Sequence, residues 1–191
     1  MKEPKKSLGQ NFLIDQNIIN KIIKQTNIKD ENIVEIGPGY GSLTDHILKK
    51  KPKKLIIIEK DFEIYNYLIK KYKTEKEIQI INSDALEYDF AQLKKFKVIS
   101  NLPYNVSSKI IMKLLFHSEN IISIICMIQK ELAIKFDYNK KKMNKYKFII
   151  KLCADYSLLF DVSNNVFYPK PKVNSKVVEF KLKKNTLNKM K

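Results

Sequence analysis

The stretch Asn101-Leu102-Pro103-Tyr104-Asn105-Val106-Ser107 combines side chains suited to activating an amine. The amino group of adenine is a poor nucleophile because its lone pair is delocalised into the ring. Two acceptors that draw the amine hydrogens aside would point that lone pair at an electrophile. The Asn101 side-chain carbonyl and the Leu102 main-chain carbonyl are candidates, with Pro103 stiffening the turn and Tyr104 offering a stacking face. No general base is required if the proton leaves after attack, so positioning would carry the rate. The same residues also read as a plain strand exit with turn chemistry.

A second constellation is Glu35-Ile36-Gly37-Pro38-Gly39-Tyr40-Gly41-Ser42-Leu43-Thr44, which holds three of the chain's four glycines. Glycine there permits a tight turn at positive φ and the close approach of a ligand. A dinucleotide loop wants glycines at its first, third and sixth positions, whereas Ser42 stands at the sixth and Gly41 at the fifth, so NAD is disfavoured. Acidic-x-Gly-x-Gly-x-Gly is instead the turn typical of S-adenosylmethionine-binding methyltransferases; a purely structural loop is the alternative. Glu59 follows Gly39 by about 20 residues, where a carboxylate accepts from both ribose hydroxyls. Asp84, in Asn82-Ser83-Asp84-Ala85, is a candidate acceptor for the exocyclic amine of an adenine ring.

These residues need a scaffold that brings several strand ends together. Apolar runs at Asn32–Ile36, Lys54–Ile58, Glu77–Ile81, Lys97–Ser100 and Ile121–Met127 read as strands covered on both faces. Helical spacing at Ser42–Lys50, Phe62–Tyr72 and Ser107–Phe116 alternates with them. Two further helices, Lys130–Phe136 and Tyr146–Ala154, precede strands at Tyr156–Asp161 and Lys176–Leu182 that close as a hairpin. The expected fold is α/β: a Rossmann-like, class I methyltransferase sheet of seven mostly parallel strands, with helices on both faces and a C-terminal antiparallel hairpin. Residues 1–30 are expected to form a helical segment contributing to the cofactor pocket, 31–183 the methyltransferase domain, and 184–191 a basic disordered tail.

The 191 residues suffice for one hydrophobic core. The longest apolar run, Ile121 to Ile128, is too short for a bilayer span, and no apolar stretch follows the basic N-terminus, so a cytoplasmic location is expected. Cys126 and Cys153 lie apart in apolar surroundings and read as reduced thiols; no metal site is expected. The formal net charge of +17 points to nucleic acid, although all 37 basic residues are Lys, a bias that AT-rich coding also produces. Lys140, Lys141, Lys142, Lys145 and Lys147, with Lys170, Lys172 and Lys176, are the lysines expected to hold phosphates.

The sequence resembles the ribosomal RNA adenine N6,N6-dimethyltransferases, specifically the KsgA-like branch that acts on small-subunit RNA. The resemblance runs from Lys6 to about Leu182. It is carried by Leu8-Gly9-Gln10-Asn11-Phe12-Leu13, the Glu35 to Thr44 loop, Ile58-Glu59-Lys60-Asp61, Ser83-Asp84-Ala85, Asn101 to Ser107, Gln129-Lys130-Glu131 and Val166 to Ser175. It implies cofactor contacts for S-adenosylmethionine at Asn11, Leu13, Gly37, Gly39, Glu59, Asp84 and Asn101. It further implies that Phe167 stacks on a flipped target base opposite Tyr104, flipping being needed because an amine inside a duplex cannot reach a buried sulfonium. The expected partner is small-subunit rRNA or the assembling small subunit, engaged by a monomer in ribosome biogenesis. Departures are Asn174 where the family usually has Asp, and Lys147-Phe148 where a Gly-Arg pair is usual. The helical C-terminal domain of relatives is also expected to be missing. Two other functions fit part of the pattern: a large-subunit rRNA adenine methyltransferase, which shares the cofactor loop and Asn-x-Pro-Tyr, and a non-catalytic RNA-binding assembly factor.

Overall fold

The computed structural model describes residues 10–116, 119–140 and 142–183. Seven strands form one sheet: β2 (Asn32–Ile36), β3 (Lys54–Glu59), β4 (Ile78–Asn82), β5 (Phe96–Asn101), β6 (Ile121–Gln129), β7 (Ala154–Val162) and β9 (Ser175–Leu182). A separate two-stranded ladder joins β1 (Phe12–Leu13) to β8 (Phe167–Tyr168). The helices are α1 (Gln16–Ile23), α2 (Ser42–Leu48), α3 (Phe62–Lys71), α4 (Ser107–Phe116), α5 (Lys130–Phe136) and α6 (Lys145–Cys153).

The order across the large sheet is β4-β3-β2-β5-β6-β9-β7. The first five strands pair in parallel, while β9 runs antiparallel to both β6 and β7. The expected seven-stranded sheet and terminal hairpin are therefore present. The hairpin has a further feature: β9 inserts between β6 and β7, leaving β7 at the edge. The small β1–β8 ladder has no counterpart in the sequence reading, because a two-residue strand is too short to show alternation.

Side chains alternate across each strand and so feed two cores. Val34, Ile36, Ile56 and Ile58 face the layer of α4, α5 and α6. Ile33, Leu55 and Ile57 face that of α1, α2 and α3. Leu55 and Ile57 are fully buried, each such side chain contributing about 1.5–3 kcal/mol relative to exposure. This two-sided burial explains why the parallel strands read as continuous apolar runs.

The strand order reverses at β2 and β5, and it is there that the site is built. Their ladder pairs Ile33 with Lys97 and Val34 with Val98. At the carboxyl end of the seam the Ser100 hydroxyl donates to the Ile36 carbonyl. Beyond it the two chains diverge into the glycine loop and the Asn101 turn. In open α/β sheets that divergence opens a ligand crevice.

Candidate active site

The crevice contains a cavity of ≈ 170 Å³ at the strand carboxyl ends. Asn11, Leu13, Gly37, Gly39, Glu59, Asp84, Asn101, Leu102, Pro103 and Tyr104 all line it. Four strand ends and the N-terminal segment thus converge, as the motif spacing requires.

The glycine loop is fixed by neighbours on both sides. Gly39 has φ +58°, and a Cβ there would lie 2.6 Å from the Phe12 ring, so a side chain is excluded by backbone and neighbour alike. Gly41 caps α2 in the left-handed region at φ 86°. The Tyr72 hydroxyl donates to the Gly41 carbonyl at 3.2 Å and to Asp45 at 2.6 Å. Lys71 donates to the Tyr40 carbonyl at 3.1 Å and pairs with Asp45 at 2.8 Å. Nothing in the local sequence signals this bracing, which joins residues about thirty positions apart across two helices.

Two carboxyl groups in the site lack a cationic partner close enough to offset burial. Glu59 is 6% exposed, and its Oε1 accepts from the Asp61 amide at 2.7 Å. Burial pushes its carboxyl up to about 7, against hydrogen bonds from the Asp61, Gly39 and Lys60 amides. Glu35 accepts from the Thr44 hydroxyl at 2.7 Å, and burial raises it to about 8. Asp84 is different. Its burial acts upward, but the Lys60 ammonium at 2.7 Å and the Leu86 amide at 2.8 Å hold it below the usual carboxylate range.

Asn101 closes β5. Its Nδ2 donates to the Asn11 carbonyl at 3.0 Å, which fixes the amide plane. Among the described residues its Oδ1 is the buried side-chain acceptor left without a partner. A buried carbonyl oxygen in that state loses about 1–3 kcal/mol unless a ligand donates to it. Behind it, the Leu102 side chain is buried and its amide donates to the Met127 carbonyl at 3.2 Å. Tyr104 is held by a hydrogen bond between its hydroxyl and Ser175 Oγ at the start of β9, which pairs with the carboxyl end of β6.

Phe167 does not join this group. It is 3% exposed, packs in the α1–α3 core, and does not line the cavity. Its backbone pairs with Leu13, which does. The ladder explains the placement: residues of β8 alternate between faces, so Phe167 turns inward and Tyr168, 54% exposed, turns outward. Two of the expected RNA-binding lysines are likewise committed within the protein. Lys147 is 4% exposed and donates to the carbonyls of Lys140 at 3.2 Å and Lys142 at 2.8 Å. Lys176 pairs with Asp161 at 2.7 Å. Lys140, Lys142, Lys145, Lys170 and Lys172 are exposed, whereas Lys141 and the tail 184–191 lie outside the described residues.

The comparisons with known proteins agree with this geometry. The family model described as ribosomal RNA adenine dimethylase matches residues 1–191. The chain belongs to that family. It is 42% identical over 186 residues to a protein of Malacoplasma penetrans named ribosomal RNA small subunit methyltransferase A, covering 94% of this chain and 66% of the relative. A Mycoplasmopsis pulmonis protein of the same name is 39% identical over 183 residues, covering 95% of this chain and 72% of its own length. The crystal structure of a dimethyladenosine transferase from Plasmodium falciparum superposes with a TM-score of 0.81 at 27% identity, covering 93% of this chain and 65% of the other. The chain thus spans about two thirds of the length of these relatives, with the class I methyltransferase fold expected from its strand order. Among the described residues no helix is long and apolar enough to cross a membrane, and no cluster of His, Cys, Asp and Glu is arranged to hold a metal ion.

Proposed function

We propose that the chain transfers methyl groups from S-adenosylmethionine to the N6 amine of adenines in small-subunit ribosomal RNA, giving the dimethylated base. The observation that carries this reading is the unpartnered, buried Oδ1 of Asn101, a residue that lines the cavity. An acceptor held there by Asn11 is preorganised for a hydrogen of an incoming amine.

The residues present fit the cofactor. Glu59, buried without a cation, suits two ribose hydroxyl donors, and the loop at Gly39 brings main chain to the cavity wall, where a Cβ would strike the Phe12 ring. Asp84 Oδ2 keeps acceptor capacity for an adenine amine beside Lys60. When bound, S-adenosylmethionine supplies a methyl group activated by a positive sulfur.

The chain's own part is positioning. Asn101 Oδ1 takes one amine hydrogen and the Leu102 carbonyl the other, so the nitrogen lone pair is directed inward. Tyr104, tethered to Ser175, presents its ring to the base plane. The N6 proton leaves to solvent after the new C–N bond forms, so neither Glu35 nor Glu59 acts as a base.

The test is transfer of labelled methyl from the cofactor to small and large ribosomal subunits whose adenines lack N6 methylation, offered together, followed by mass spectrometry of the nucleosides of each RNA. Label recovered as N6,N6-dimethyladenosine supports the reading. RNA and cofactor binding without label would mark an assembly factor, and label confined to large-subunit RNA would move the chain to the other branch.

A further inference from the structure

Three aromatic rings contact one another in turn beside the cavity, and a fourth aromatic residue, Tyr168, stands opposite one of them in the β1–β8 ladder. The Phe12 and Tyr40 rings, both lining the cavity, have centroids 5.0 Å apart at 58°, and Tyr40 meets Tyr67 of α3 at 5.2 Å and 79°. Tyr168 is the Cα partner of Phe12 in the β1–β8 ladder, and directly opposed residues project to the same face. The two ends of the row stand in water: Tyr168 is 54% exposed and Tyr67 43%.

Core packing alone does not account for these ends, since about half of each side chain stands in water. Basic side chains flank both ends. Lys170 and Lys172 follow Tyr168 and are exposed, and exposed Lys70 lies one helical turn beyond Tyr67 on the same face. Ring faces that accept any base, with ammonium groups to meet phosphates, are the parts of a single-strand binding surface. The charge excludes an acid-seeking or cationic partner in favour of a polyanion.

We propose that Tyr168 and Tyr67, the exposed aromatics at either end of the Phe12–Tyr40 contact, form a stacking track for the unpaired nucleotides that flank the target adenine; this rests on the RNA substrate proposed above. The track holds the flanking strand across the rim while the target base turns into the cavity. Its selectivity is for unpaired RNA rather than for a base sequence, because stacking tolerates every base.

The experiment measures binding of an unstructured RNA of roughly 12 nucleotides, within the usual range of site sizes, at several salt concentrations. Tyr168→Ala and Tyr67→Ala should each weaken affinity about tenfold, whereas Tyr168→Phe and Tyr67→Phe should bind as the unmodified protein does. The slope of affinity against salt should stay the same in all four, since no phosphate contact is lost. Alanine variants that bind RNA normally, or phenylalanine variants as weak as the alanine ones, would overturn the track. Methyl transfer by the unmodified protein, measured in parallel, separates the two readings. Transfer with normal RNA binding by the alanine variants removes the track and leaves the enzyme. No transfer, with the ring-dependent affinity intact, removes the enzyme and leaves the RNA surface.

Discussion

Cofactor affinity should depend on pH through Glu59, and the direction follows from its surroundings. Burial raises this carboxyl to about 7 from an ordinary 4.5, so at pH 6 the free protein carries it mostly protonated. A protonated carboxyl loses acceptor capacity for the two ribose hydroxyls, and binding must expel the proton. Only about one molecule in ten is ionised at pH 6, against nine in ten at pH 8, so affinity should rise about tenfold over that interval and then level off. Calorimetry in buffers of different ionisation enthalpy would count the proton released. Glu59→Gln should bind more weakly and without the pH dependence, while Glu35→Gln should keep the rise between pH 6 and 8. The same shift acts on stability with the opposite sense for the cofactor-free protein. The folded state binds this proton more tightly than the unfolded state. Stability is therefore unaffected below about pH 4.5 and falls as pH rises through 7, by up to roughly 3 kcal/mol. Thermal melts of Glu59→Gln should recover that loss at pH 8. An affinity flat from pH 6 to 8, or an equal slope in Glu59→Gln, would refute the assignment.

Asn101→Ala should lower turnover roughly a hundredfold, the scale of removing one preorganised polar group, and change RNA affinity little; single-turnover transfer of labelled methyl measures it. Gly39→Ala should weaken cofactor binding and cost about 1–2 kcal/mol from the left-handed backbone alone. Adding Phe12→Ala should relieve the ring contact but not that backbone cost, which melts would show as partial recovery. Ser175→Ala and Tyr104→Phe each break the same hydrogen bond, so their effects on KM for RNA should not add, and Ser175→Thr should restore the single-variant loss.

Much of the site was legible because its residues sit at strand ends, where type and spacing are both informative. The glycine loop, Glu59, Asp84 and Asn101 share one crevice, which follows from residue type and spacing taken with the order of the apolar runs. Phe167 lies off the cavity lining, and whether it points in or out depends on the β1–β8 register, which no pattern of two-residue strands reveals. Lys147 reads as a surface cation among other lysines, yet its ammonium is enclosed by the carbonyls of the loop it supports. The bracing of Gly41 by Tyr72 and the tether of Tyr104 to Ser175 are long-range contacts, invisible until the helices and sheet are assembled.

The insertion of β9 between β6 and β7 also bears on how the chain assembles. As the polypeptide emerges, β7 is made before β9 and has no strand to join, because among the described residues its partner in the sheet is β9 alone. Until then β6 presents an open, strongly apolar edge, from Ile124 to Ile128, with unpaired amides and carbonyls. Ser175 arrives with β9, so Tyr104 gains its tether in the same step that closes this edge. Nascent chains paused before residue 175 should therefore be the species most prone to pair with one another or to engage chaperones.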